Sequence, residues 1–164
     1  RSTSMLDVPI VTQNTTTTNK ICWACCVSSI GKYLTSYTYS HIYVVQALHG
    51  DNDNQGADIG EAMLMLLNLF GVQYYYTNGA PSHTTIYNIM TTGYPIYSSW
   101  YSSGLDSGHA MVIRGTTQSG QSISVMDPSN SNYTALGYSS TLGTFVYTSG
   151  GYNYTIRSYG AFNA

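Results

Sequence analysis

The period of the hydrophobic residues changes at Gly71, and that change constrains the fold of this 164-residue chain more than any other feature. Before it, Trp23, Cys26, Val27, Ile30, Tyr33, Leu34 and Tyr37 recur at helical spacing, while Cys22, Cys25, Ser29, Lys32 and Ser36 fall on another face. Asn19 is placed to cap this first helix, which puts Cys22 in its first turn. A second helix follows Ser40. A third runs over 58–70, with Asp58 and Glu61 at capping-box spacing and Gly71 as the stop. Beyond Gly71 the period shifts toward two. Strands are expected over 72–77, 94–100, 109–114, 122–127, 144–148 and 152–159, with a short helix after Ser82. Residues 1–20 read as extended, because the threonine run 15–18 is too β-branched for a helix. A helical part (about 19–71) followed by a β-rich part (about 72–164) predicts an α+β fold in one domain spanning 1–164.

Composition narrows the function classes. Asp, Glu, Lys and Arg make up 7% of the residues, against about 25% in an average globular domain. Hydrophobic residues reach 43%, so the deficit does not signal disorder, which couples low hydrophobicity to high net charge. Polarity comes instead from 21 Ser, 20 Thr and 17 Tyr, which predicts a neutral, hydroxyl-rich surface. Five basic and seven acidic residues leave no basic stripe to displace counterions from a phosphate backbone, which argues against nucleic acid as a partner. The longest apolar stretch, 62–70, is broken at Asn68 and falls short of the ~20 residues a membrane span requires. A soluble chain is therefore expected. It opens at Arg1 with no charged-then-apolar leader, which reads as a mature product.

All three cysteines, Cys22, Cys25 and Cys26, fall within five residues. A disulfide framework spreads its cysteines to staple distant loops, so these thiols either do local chemistry or pack. Free Cys is among the most buried residue types, and Cys26, beside Trp23 and Ile30, reads as core. Cys22 differs by its place. The first turn of a helix favours a thiolate through unpaired N–H groups and the macrodipole.

A partner for such a thiol comes from the second half. The turn-like 115–120 segment should join 109–114 and 122–127 in an antiparallel hairpin. If Gly115 lies opposite Ser122, facing residue numbers sum to about 237, and His109 sits opposite the Asp127-Pro128 end. Cβ atoms of facing residues are about 4.5–5.5 Å apart, close enough for a carboxylate to orient an imidazole. Pro128, lacking an N–H donor, ends the pairing. A nucleophile, a base and an orienting carboxylate are the parts of a covalent hydrolase.

Gln13, then Cys22-Trp23-Ala24 at a helix start, then Gly108-His109-Ala110, then Asp127-Pro128, resembles the papain-like cysteine peptidases in residue type and order. The likeness is closer to small secreted bacterial members of staphopain or C39-like type, and it spans about 8–160. It implies a central helix behind the cysteine and a β-rich half carrying the histidine. The implied roles are Cys22 as nucleophile, His109 as base and then acid, Asp127 as orienter, and Gln13 with the Cys22 backbone N–H as oxyanion donors. Asn14 and Asn19 compete with Gln13, because the gap from Gln13 to Cys22 is longer than in papain. The resemblance also implies peptide or protein substrates, an acyl-enzyme intermediate, a monomer, a removed pro-segment or dedicated inhibitor, and no metal or organic cofactor. With the low charge, it points to secretion from a bacterial cell. Tyr97, Trp100 and Tyr101 are candidates for lining the cleft.

Other readings share the same residues. The triad could run acyl transfer or deamidation. Cys22 and Cys25 form a C-x-x-C pair at a helix start, as a thiol–disulfide redox protein would place it. Three cysteines and a histidine could hold zinc, but adjacent Cys25 and Cys26 diverge on a helix. The Asp51-Asn52-Asp53-Asn54-Gln55-Gly56 run resembles the start of a calcium loop, with Glu61 one residue early for the last ligand. An Asx-rich turn before the third helix accounts for it more simply. Asn14, Asn132 and Asn153 open Asn-x-Thr sequons, which matter in a eukaryotic secretory host. A non-enzymatic, glycan-binding surface would also suit the Tyr, Ser, Thr and Asn content.

Overall fold

A computed structural model describes residues 5–13, 17, 19–117, 119 and 121–163. Three helices come first: α1 (Cys22–Thr35), α2 (His41–His49) and α3 (Ile59–Phe70). Strand β1 (Gln73–Asn78) and helix α4 (His83–Thr91) follow, then β2 (Ile96–Ser102), β3 (Ser107–Thr116), β4 (Ser122–Met126), β5 (Thr134–Ser139), β6 (Thr144–Phe145), β7 (Tyr147–Ser149) and β8 (Tyr152–Asn163). The fold is α+β, helices before strands, as the change of period predicts. The strands form an antiparallel sheet in the order β1-β8-β2-β3-β4-β5-β6, with β7 paired to β8.

Helix ends obey local chemistry wherever the sequence supplies it. Ser40 Oγ accepts from Tyr43 N at 3.1 Å and Ser82 Oγ from Thr85 N at 3.1 Å, each satisfying an orphan first-turn donor. Asp58 and Glu61 close a reciprocal capping box at 2.8 and 3.0 Å, and Gly71 ends α3 with φ 70°. The start of α1 is different. Its N-cap is Ile21, which has no side-chain cap, and not Asn19. Tertiary contacts replace the cap: Gln13 Oε1 accepts from Ile21 N at 3.1 Å and Asn54 Oδ1 from Lys20 N at 2.9 Å.

Four other departures from sequence expectation have physical causes. Helix α1 stops at Thr35, because Ser36 turns left-handed (φ 68°), leaving Tyr37 outside the helix and exposed. Residues 23–31 are buried on every face, Cys25 and Ser29 included, because α1 packs on β3, α2 and α3 at once while the N-terminal segment crosses it. The expected 144–148 strand is two short ones, β6 and β7, which pair with different neighbours. Strand β5 escaped notice because it buries only Leu136 of its six residues and so shows no alternation.

The hairpin of β3 and β4 forms, but its register differs from expectation. Val112 faces Met126 and Ile113 faces Val125, after which a bulge at Arg114 shifts the ladder so that Gly115 faces Ser124. Gly115 is therefore not opposite Ser122. The bulge leaves the Arg114 carbonyl to accept from Leu6 N at 2.8 Å, while Arg114 Nη1 donates to Leu6 O at 3.1 Å. From there residues 5–13 run as a strap whose backbone is held by side chains and loops. Tyr133 Oη donates to Val8 O at 2.6 Å, Ser29 Oγ to Pro9 O at 2.6 Å, and Gln13 N to Pro128 O at 2.9 Å. Of the threonine run 15–18, only Thr17 lies within the described residues.

Helices α1 and α3 pack tightly at Gly31, where a Cβ would overlap the Phe70 ring of α3. Gly31→Ala is expected to lower stability by about 1–3 kcal/mol, the usual cost of overpacking a filled core. A fall in the urea midpoint at unchanged m-value is the expected result.

Candidate active site

The side chains that sequence order picks out converge where α1 meets β3. Cys22 is the first residue of α1, half-buried, and its Sγ accepts from Ala110 N of β3 at 3.4 Å. Its neighbour in that strand, His109, holds Asp127 at 2.7 Å through Nε2. Sulfur and imidazole interact across the gap between helix and strand, and with Nε2 engaged, Nδ1 is the nitrogen left for the sulfur. Asp127 is 3% exposed, one residue past the end of the β3–β4 ladder. His109 lies three residues beyond Val112, the last β3 position in that ladder, so the pair meets off the ladder rather than as facing neighbours.

Asp127 is anchored on both oxygens. Oδ1 accepts from His109 and from Ser129 N at 2.9 Å, and Oδ2 accepts from the Tyr147 hydroxyl at 2.9 Å. Burial alone would raise this carboxyl. The hydrogen bond and charge of His109, the Ser129 N–H and the Tyr147 hydroxyl outweigh it and hold Asp127 below the usual carboxylate range. Burial likewise pulls His109 down, but Asp127 and Cys22 overcome it and push the imidazole up to about 10. The Asp127 charge raises Tyr147 as well, where burial first and then that charge push the phenol up to about 12.

Tyr147 is the residue that motif reading passed over. Besides its bond to Asp127, its ring stacks on the His109 ring at 5.4 Å and 16°. No spacing rule could have found it, because it lies at the start of β7, 20 residues beyond Asp127. The available signal was a tyrosine inside an expected strand late in the chain, one of 17 tyrosines.

Gln13 reaches the site from the strap. Its Oε1 is used by Ile21 N, and its Nε2 donates to Ser129 Oγ at 3.4 Å, leaving one amide hydrogen. Gln13 and Asn19 both line a polar recess of about 250 Å³ beside His109 and Tyr147. Asn19 Oδ1 accepts from Asn54 Nδ2 at 3.4 Å, whereas Asn14 lies outside the described residues. A second recess, of about 210 Å³, opens on the other side of His109, and Cys22 lies on its lining. Of the three aromatics expected to line the cleft, Tyr97 does so. Trp100 is fully buried, with Nε1 donating to Ser98 Oγ at 2.7 Å. Tyr101 turns away to bond Asp106, under the Arg157 guanidinium.

The other two thiols are not placed for chemistry. Cys25 and Cys26 are fully buried, and burial, with the nearby Cys22 charge, pushes both thiols well above the usual range. Among the described residues there is no group of three or more His, Cys, Asp or Glu side chains that could hold a metal. In the 51–55 loop, Asn52 Oδ1 accepts from Asn54 N at 3.2 Å and Asn52 Nδ2 donates to Gln55 Oε1 at 2.8 Å, an Asx turn.

Residues 2–145 match the protein family described as papain-like cysteine protease AvrRpt2, and the chain belongs to that family. No individual curated protein matches it. The match supports the resemblance at the level of papain-like cysteine proteases and makes the chain an enzyme of that class, with protein substrates.

Two outcomes follow from this geometry. A thiol alkylating reagent should modify Cys22 alone in the folded protein, with Cys25 and Cys26 reacting only in denaturant, as read by peptide mass mapping. The second concerns pH. The folded His109 is raised above its unfolded value, so its contribution to stability is full below about 6.5 and is lost as pH climbs through about 10. The difference in urea midpoint between wild type and His109→Gln should therefore be widest below about pH 6.5 and shrink toward pH 10.

Proposed function

We propose that this papain-like cysteine protease hydrolyses peptide bonds with Cys22 as nucleophile, His109 as base and acid, and Asp127 as the group that orients His109. The observation that carries the reading is the double engagement of the imidazole, by Asp127 at Nε2 and by Cys22 on its other side. An imidazole held between a carboxylate and a thiol can take the thiol's proton and later hand it to the leaving amine.

The Cys22 thiolate attacks the scissile carbonyl carbon, forming a C–S bond while the carbonyl π electrons move to oxygen. As that oxyanion collapses, the C–N bond breaks and the amine leaves with the proton from His109 Nδ1. Water then attacks the thioester and gives a proton to His109. The second oxyanion collapses, releasing the carboxylic acid product and the thiolate. Gln13 has one amide hydrogen left for the oxyanion, beside the Cys22 backbone N–H, which belongs to the first-turn donors with no intrahelical acceptor.

Tyr147 is a positioning residue in this scheme, since its hydroxyl holds Asp127 and its ring fixes the plane of the imidazole. The low charge and hydroxyl-rich composition support secretion of the catalytic domain.

Cleavage of a denatured protein substrate should vanish in Cys22→Ala, and an epoxide-type thiol inhibitor should label Cys22. Undiminished cleavage by Cys22→Ala, or labelling at Cys25 or Cys26 instead, overturns the assignment. Gln13→Ala is expected to lower kcat by about 10²–10³, the value of one oxyanion donor. Tyr147→Phe should cost about fivefold, the equivalent of one ordinary hydrogen bond of about 1 kcal/mol. It should also move the acid limb of the pH–rate profile upward, because the hydroxyl helps keep Asp127 ionised.

A further inference from the structure

Peptide cleavage leaves one thiol in the first turn of α1 unused. Cys25 lies three residues beyond Cys22, on the face that also carries Ser29, whereas Cys26 packs in the hydrophobic core with Trp23 and Ile30. Burial closes Cys25 to substrate and to reagents in solvent, but not to Cys22 in the same turn. Burial first, and then the Cys22 charge, raise the Cys25 thiol, so it stays protonated beside a charged Cys22.

The winding of that turn favours this pair over the alternative. The Ile21 carbonyl accepts from Ala24 N at 3.0 Å as well as from Cys25 N at 3.2 Å, so α1 opens partly in the 3₁₀ form. In that form side chains three residues apart eclipse, which aligns Cys25 with Cys22 and moves Cys26, four residues on, out of line. Helical Cα atoms three apart are separated by about 5 Å, inside the roughly 4.4–6.8 Å that a disulfide spans. Access is divided in the way a two-step oxidation needs. Cys22 is half-buried on the lining of a recess of about 210 Å³, where a peroxide can reach it, and Cys25 is fully buried behind it.

We infer that Cys22 and Cys25 form an oxidation site, where a peroxide oxidises Cys22 and Cys25 converts the product to an internal disulfide that switches the protease off reversibly. The inference rests on Cys22 being the reactive thiol of the proposed mechanism. The Cys22 thiolate attacks one oxygen of hydrogen peroxide, the O–O bond breaks, and the departing hydroxide takes the proton held by His109 and leaves as water. Cys22 is then a sulfenic acid. Its charge is gone, which removes the second of the two effects that raise Cys25. The Cys25 sulfur attacks the Cys22 sulfur, an S–S bond forms, the S–O bond breaks, and hydroxide leaves with the Cys25 proton as a second water. Two thiols are oxidised and one peroxide is reduced. A dithiol reverses the change by exchange, whereas a sulfenic acid with no neighbouring thiol goes on to sulfinic and sulfonic acids that thiols do not reduce.

The test treats the folded wild-type protein with excess hydrogen peroxide, then alkylates it in denaturant and maps the peptides by mass. The expected product has lost two hydrogens, with Cys22 joined to Cys25 and Cys26 left to alkylate. Dithiothreitol should restore both thiols and the cleavage of a denatured protein substrate. Under the same peroxide, Cys25→Ser should carry Cys22 as sulfinic or sulfonic acid and recover neither labelling nor cleavage on reduction. Those acids accumulating on wild-type Cys22 with Cys25 still free, a bond from Cys22 to Cys26 or between two chains, or equal recovery in Cys25→Ser overturns the inference. The wild-type map needs no variant to fold and no turnover, so it stands apart from the catalytic assignment. A disulfide that forms in a protein whose Cys22→Ala variant still cleaves condemns only that assignment, and an inactive Cys22→Ala with no disulfide in the wild type condemns only the switch.

Discussion

Helix α1 meets β3 at its first residue, and the contact between Ala110 N and Cys22 Sγ, 3.4 Å, is where the two halves of the chain meet functionally. Everything around it serves to hold that junction still. Helix α1 is buried on every side over 23–31, so its axis cannot shift without opening the core. Strand β3 lies inside the sheet, paired on both edges by β2 and β4. A helix start docked this way has no freedom to fray, and that explains how it can do without a side-chain cap. Gln13 and Asn54 take the donors just before it instead, and each belongs to a segment that also borders the cleft.

Electrostatics in this protein are concentrated rather than spread. Among the described residues the ion pair is that of His109 with Asp127, and it is largely buried. Two of the few cations, Arg114 and Arg157, rest on the faces of Tyr133 and Tyr101, at 3.6 and 3.9 Å from the ring centroids. A surface poor in formal charge leaves little to compete with the site's own field. The carboxylate of Asp127 therefore acts on histidine and tyrosine together, raising both while being lowered itself.

The family motif has a second use beyond chemistry. Trp23, next to the thiol, spends its indole N–H on Gln55 and its ring on His49, so the residue after Cys22 builds the wall of the adjoining recess. The Asx-rich 51–55 turn fits the same pattern. Asn54 of that turn accepts from Lys20 N, two residues before Cys22, which ties the loop, the recess and the helix start into one rigid unit.

Much of this was legible in the chain itself, and the rest was not, for a physical reason. Local signals act over a few residues. Ser40, Asp58 with Glu61, Gly71 and Ser82 each bond groups within about one turn, so helix ends could be read from neighbouring letters. The helical-then-alternating period determined an α+β fold, and the order of Gln13, Cys22, His109 and Asp127 determined the family. Long-range bonds left no such trace. The Arg114 bulge, the end of the β3–β4 ladder at Met126, and the strap bonds from Val8, Pro9 and Gln13 join residues far apart in sequence. Tyr147 is the sharpest case. One tyrosine among 17 became the partner of Asp127 and the lid on His109 only because β7 pairs with β8 and brings its first residue over the imidazole, a placement that only the packed sheet decides.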